Sequence, residues 1–71
     1  MTAQYASAAM RDRFLDALDA HDRILSIELA RNLATCANPL PGITCNELGL
    51  PTGSTYGSAA SRVLSLYTVL A

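Results

Sequence analysis

Between Thr2 and Asn38 the chain has neither glycine nor proline, and its apolar residues fall at helical rather than alternating spacing. Met10, Phe14 and Leu18 recur at i, i+4 and i+8 with Leu15 beside them. Leu25, Leu29 and Leu33 form a second stripe that Cys36 or Ala37 continues. The intervening Asp19-Ala-His-Asp22 is polar on most faces, and Asp22 is placed to cap a following helix, because a short acidic side chain accepts from the free N–H groups of a first turn. The pattern predicts two helices, roughly residues 4–19 and 22–37, with one continuous helix over the same stretch as the alternative. Asp19 with Arg23 and Glu28 with Arg31 have the spacing of helical ion pairs, each contributing about 0.2–0.5 kcal/mol.

Asn38-Pro-Leu-Pro-Gly42 interrupts this regularity. Proline fixes its own φ and drives the preceding residue out of the helical region, so a loop is predicted there. Thr44 is expected to cap a short third helix, about 44–48. Gly49 then suits a left-handed terminus, and Pro51 prevents continuation. Ser54 or Thr55 is expected to cap a last helix, about 55–70. Its apolar stripe is Tyr56, Ala59, Ala60, Val63, Leu64, Tyr67 and Leu70; the opposite face carries Thr55, Ser58, Ser61, Arg62, Ser65 and Thr68. No stretch alternates as a strand would. The expected fold class is all-α: a small domain, residues 1–71, of three to four helices.

Composition adds a partner to this picture. Hydrophobic residues make up 51% of the 71 and charged residues only 15%. A chain of this size buries only about 60% of its unfolded surface, so such a surplus calls for cover, most simply by a second copy. A homodimer is expected, or a protein that works against another protein. The apolar ending Val69-Leu70-Ala71 points the same way. Net charge is −1, all five cations are arginines, and the six carboxylates (Asp12, Asp16, Asp19, Asp22, Glu28, Glu47) precede position 48, after which Arg62 is the only charge. This is a weak footprint for binding phosphates. The opening residues lack the basic and leucine-rich regions of a signal peptide, and no apolar run reaches the ~20 residues of a membrane span. The expectation is a cytoplasmic protein away from membranes, with Cys36 and Cys45 reduced.

Candidate chemistry is sparse. His21 lies within three residues of Asp19 and Asp22, which reads as a solvated polar turn. Gly49, Gly53 and Gly57 lack the lysine of a phosphate loop and read as turn punctuation. Asp12 and Asp16 stand one helical turn apart with no further ligand nearby, and no nucleophile has a base at a recognisable spacing. The expectation is a protein that is not an enzyme, with no cofactor, no metal and no small-molecule substrate.

Ile43, Glu47-Leu48, Gly49-Leu50-Pro51, Ser54-Thr55 and Arg62-Val63-Leu64 together form a pattern. Over residues 43–67, about a third of the chain, it resembles the helix-turn-helix of small bacterial, phage and plasmid transcription regulators. The chain differs in lacking a helical turn between Glu-Leu and Gly-Leu, in inserting Thr52-Gly53, and in placing Tyr56-Gly57 early in the second helix. The resemblance implies a C-terminal helix-turn-helix-like unit that regulates transcription by binding duplex DNA. Ser54, Thr55, Tyr56, Ser58, Ser61 and Arg62 would be its contact residues, and the free N–H groups at the last helix's N-terminus would seat a phosphate. The alternative expectation is a non-enzymatic accessory factor: an inhibitor, adaptor or antitoxin-like module of phage or plasmid type. It would bind a host or cognate protein through the same helix or through the acidic face Asp12-Asp16-Asp19.

Overall fold

The structure, a computed structural model, describes residues 4–70 and is all-α. Four helices follow in order: α1 (Ala8–Asp19), α2 (Arg23–Leu33), α3 (Gly42–Glu47) and α4 (Tyr56–Leu70). The first helix begins later than the expected residue 4. The Ser7 hydroxyl accepts the Met10 N–H at 3.2 Å and so ends the helix on its N-terminal side. Gln4–Ala6 instead form an extended strap across the α2–α3 connection, where Gln4 makes a parallel bridge with Cys36. The Gln4 carbonyl accepts the Ala37 N–H at 2.8 Å. The Asn38 amide oxygen accepts the Ala6 N–H at 2.9 Å, and its nitrogen donates to the Ala6 carbonyl at 3.4 Å.

Helices α1 and α2 are separate. Asp22 caps α2 as expected, accepting the Leu25 N–H at 3.1 Å. Before it, the Asp22 N–H donates to the Ala17 carbonyl at 3.0 Å and the His21 N–H to the Leu18 carbonyl at 3.2 Å. These are the paired bonds of a Schellman terminus, and His21 occupies its left-handed position at φ 55°. Glycine has no Cβ penalty there. His21→Gly is therefore expected to stabilise the protein by about 1 kcal/mol, raising Tm by about 4–8 °C in a thermal melt. An unchanged or lower Tm would mean that the imidazole makes a compensating contact. The same turn separates Asp19 from Arg23, so the ion pair drawn between them on one helix does not form. Among the described residues neither it nor Glu28–Arg31 lies within bridging distance, and the one ion pair is Arg11–Asp12 at 3.9 Å. That pair is exposed and contributes little.

α2 ends at Leu33 rather than near 37, because Cys36–Leu40 is drawn out to serve α4. The Gly57 N–H donates to the Cys36 carbonyl at 2.9 Å, the Tyr56 N–H to the Asn38 carbonyl at 3.1 Å, and the Leu40 N–H to the Ser54 carbonyl at 2.7 Å. α3 starts at Gly42, two residues before the expected Thr44. Pro41 stands at its N-cap and makes no side-chain capping bond. Gly49 follows at φ 72°, the left-handed role expected of it, and Gly53, expected only in a turn, is left-handed as well at φ 94°.

α4 runs antiparallel to α2. At one end Gly57 abuts Ala34 and Cys36; at the other the Arg23 guanidinium donates to the Tyr67 carbonyl at 3.0 Å and lies 5.8 Å from the Tyr67 ring centre. The principal packing pairs are α1 with α2 and α2 with α4. Small residues let these helices approach: Ala17, Ala30, Ala59 and Ala60 are all buried. Around them Ala6, Phe14, Leu29, Leu33, Cys36, Leu40, Cys45, Tyr56 and Val63 complete the core, and the Phe14 and Tyr56 rings meet edge to face with centres 6.5 Å apart.

Candidate binding face on the last helix

The helix expected to carry recognition is divided lengthwise. Tyr56, Gly57, Ala59, Ala60 and Val63 are buried, while Ser58, Ser61, Arg62, Ser65, Leu66 and Thr68 are exposed. The apolar Leu70 of the expected stripe and the Val69-Leu70-Ala71 ending lie outside the residues whose side chains are described.

Of the six residues proposed as contacts, three face solvent: Ser58, Ser61 and Arg62. Ser54 and Thr55 are half-buried and close the start of the helix. The Ser54 hydroxyl donates to the Pro51 carbonyl at 2.7 Å. Thr55 Oγ1 accepts the Ser58 N–H at 3.1 Å and is hydrogen-bonded to Ser58 Oγ at 3.1 Å. Thr55 is thus the N-terminal cap of α4.

Tyr56 has to be corrected. It is 0% exposed, so it is a core residue and cannot touch DNA or a protein partner directly. The same spacing that placed it in the first turn also places it on the apolar stripe, and burial of its ring decides the matter. Its hydroxyl has no hydrogen-bond partner among the described protein groups. Burial pushes its phenol above the ordinary value; Arg11 opposes this, while Asp12 and Cys45 reinforce it. Tyr56→Phe is expected to stabilise the protein by about 1 kcal/mol near neutral pH, because it removes a buried unpaired hydroxyl. A raised phenol pKa also fixes a sign. Above the unfolded-state value of about 10 the unfolded chain releases a proton that the folded one keeps, so stability falls as pH rises towards the folded value. The wild type should therefore lose more stability above about pH 10 than Tyr56→Phe, as followed by urea titration. Parallel pH profiles would show that Tyr56 does not titrate differently on folding.

The first N–H groups of α4 are also accounted for. Those of Tyr56 and Gly57 go to the Asn38 and Cys36 carbonyls, that of Ser58 to Thr55 Oγ1, and that of Ala59 to the Thr55 carbonyl. A helix N-terminus attracts phosphate because such donors are free. Here they are not, so the phosphate seat expected at this end is absent. Arg62 is exposed, yet its guanidinium lies 4.0 Å from where a side chain on Gly49 would begin, which places it beside the terminus of α3. There it faces the negative end of a short helix.

No family model, curated protein or solved structure matches this chain.

The spacing of the last two helices is also specific. Eight residues, Leu48–Thr55, join the six-residue α3 to α4, whereas a helix-turn-helix turn takes about three or four. The structure makes prominent two residues that the sequence did not single out, Asn38 and Ile24, and exposes Ile43, which the sequence offered as the apolar position of the helix-turn-helix pattern. Asn38 holds both the strap and the start of α4. Ile24 and Ile43 are 74% and 78% exposed. The one hint for Asn38 was its place immediately before Pro39, which keeps it extended. Ile24 had a signal too, since it lies off the Leu25-Leu29-Leu33 stripe. On charge, Asp12, Asp16 and Asp19 are exposed on α1, and α4 carries no carboxylate. Among the described residues no cluster of three or more His, Cys, Asp or Glu could hold a metal, and no helix is long and apolar enough to cross a membrane.

Proposed function

We propose that this chain is a non-enzymatic protein-binding module whose first partner is a second copy of itself. The exposure of Ile24 and Ile43 carries this reading: two β-branched apolar side chains stand about three-quarters in solvent, in a chain with only 15% charged residues. Apolar side chains left outside a filled core favour contact with protein surface, where their burial is stabilising, and gain nothing from a phosphate backbone. Occupation of the α4 amide donors weighs in the same direction.

DNA binding through a helix-turn-helix-like unit is the second reading. One observation favours it: Ser58, Ser61, Arg62 and Ser65 form an outward face of hydroxyls and a cation with no carboxylate on the same helix.

Size-exclusion chromatography with light scattering, followed by anisotropy with a labelled random duplex at ~50 mM salt, separates the two. The expected result is a mass of about 15 kDa, twice the chain's 7.5 kDa, with no duplex binding. Ile24→Glu with Ile43→Glu should return the mass to that of the monomer without loss of helicity. A wild-type monomer at micromolar concentration would overturn self-association. Salt-sensitive duplex binding that Arg62→Ala weakens would establish the second reading instead.

A further inference from the structure

We propose that the outer face of α2 is the seam on which two copies of this chain meet, antiparallel and about a two-fold axis. The inference rests on the self-association proposed above and names the surface that carries it. α2 packs against both α1 and α4, and turns Ser26, Leu29, Ala30 and Leu33 inward to the core. A helix advances about 100° per residue, so Ile24, Glu28 and Arg31 fall in one line on the side away from that core. All three are exposed, and Ile27, which flanks the line, is half-buried. Beyond the end of α2 the line reaches Thr35, whose hydroxyl donates to the Gln4 side-chain oxygen at 2.6 Å. That bond sets the next residue of the strap, Tyr5, at this end of the face. Tyr5 is 69% exposed, and Ile24, at the other end, is 74% exposed.

Along its length the face therefore reads apolar, acidic, basic, apolar, an order that matches itself only in reverse. Laid parallel, two copies would set Glu28 on Glu28 and Arg31 on Arg31. Laid antiparallel with Glu28 opposite Arg31, a two-fold axis makes the same complementary pair twice. The same register puts Ile24 opposite Thr35, beside Tyr5, so each exposed apolar end of one copy meets the other apolar end of its partner. From Ile24 to Thr35 the seam is about 16 Å long. Among the described residues neither Glu28 nor Arg31 has an ion-pair partner within the chain, so both are free to bridge across the seam. The charges fix direction and register, while burial of Ile24 and Tyr5 supplies affinity.

Light scattering on the full chain over a dilution series tests the seam. Glu28→Arg alone and Arg31→Glu alone each set like charges across both pairs, and each should weaken self-association at least tenfold. An equimolar mixture of the two variants makes both pairs complementary again. It should show the dimer mass at concentrations where each variant alone is a monomer. Tyr5→Ser, which touches neither charge, should weaken the dimer at least fivefold. Single reversals that dimerise as the wild type does, or a mixture that stays monomeric, would overturn the seam while leaving self-association intact. A wild-type monomer at micromolar concentration would overturn self-association itself, and the seam with it. Should circular dichroism show that a reversal unfolds the chain, isotope-filtered NOEs in a mixed-labelled wild-type dimer decide. Contacts between the Ile24 methyls of one copy and the Tyr5 ring of the other are expected, and their absence defeats the idea.

Discussion

Gly57→Ala is expected to destabilise the protein by roughly 2–3 kcal/mol, the cost of overpacking a filled site. A Cβ at this position would stand 2.8 Å from both the Ala34 and the Cys36 carbonyl oxygens. Both are backbone atoms, so no side chain can rotate away. To relieve the clash, α4 must withdraw from the end of α2. Withdrawal lengthens the 2.9 Å bond from the Gly57 N–H to Cys36 and strains its neighbour from Tyr56 to Asn38. Glycine inside a helix ordinarily costs about 0.5–1 kcal/mol relative to alanine, so propensity alone predicts that the substitution stabilises. The two effects have opposite signs, and the contact wins. Urea denaturation measures it. A domain of this length holds roughly 4–10 kcal/mol in total, so the midpoint should fall by about a quarter or more. A stability equal to or above the wild type's would show that α4 does not press this closely.

Phe14→Ala is expected to cost more, about 3–5 kcal/mol, enough to leave the chain marginally folded at 25 °C. Phe14 is fully buried and is the large side chain by which α1 reaches the far side of the core, where its ring meets Tyr56 edge to face at 67°. The other buried residue of α1 is Ala17, while Met10, Leu15 and Leu18 pack against the core only in part and can fill the void at most partially. α1 should loosen from α2 while α4, held by Cys36 and Asn38, keeps its place. Far-UV circular dichroism during urea denaturation reads the effect. A loss below about 1 kcal/mol would mean that α1 is peripheral to the fold.

The two stripes of leucine, methionine and phenylalanine were sufficient to reveal α1 and α2. Asp22 correctly marked the start of α2, and Gly49 the end of α3, because these are local choices: a short carboxylate before a first turn, a residue without Cβ after a last one. What could not be read depends on contacts between distant parts of the chain. Ser7 caps α1 locally, but Gln4–Ala6 before it is drawn out by pairing with residues more than thirty positions away. Ala34–Ala37 is likewise good helical sequence, surrendered because α4 requires the Cys36 and Asn38 carbonyls.

The candidate site was legible to the same degree. Helical periodicity put Ser58, Ser61 and Arg62 outside. It also put Tyr56 on the apolar stripe, against the contact role implied by the resemblance, but it could not tell that the donors beside it are occupied. Gly57 looked like punctuation because a glycine in sequence does not reveal whether it serves a turn or a close contact. Gly49 and Gly53 serve turns, and Gly57 a contact. Ile24 is marked by lying off the Leu25-Leu29-Leu33 stripe, whereas Ile43, offered as an apolar position of the helix-turn-helix pattern, is seen to be exposed only once the core is filled without it.

The case against a phosphate seat on α4 depends most on the state of the amides that open that helix. Hydrogen exchange of Tyr56, Gly57 and Ser58, followed residue by residue by NMR, measures that state directly. The account predicts that Tyr56 and Gly57 exchange as slowly as Ala60 in the helix interior, with Ser58 only modestly faster, and that added duplex DNA changes none of the three. Exchange near the rate of an unstructured peptide at Tyr56 and Gly57, slowed when DNA is added, would show these donors free and reserved for a phosphate, and would contradict it.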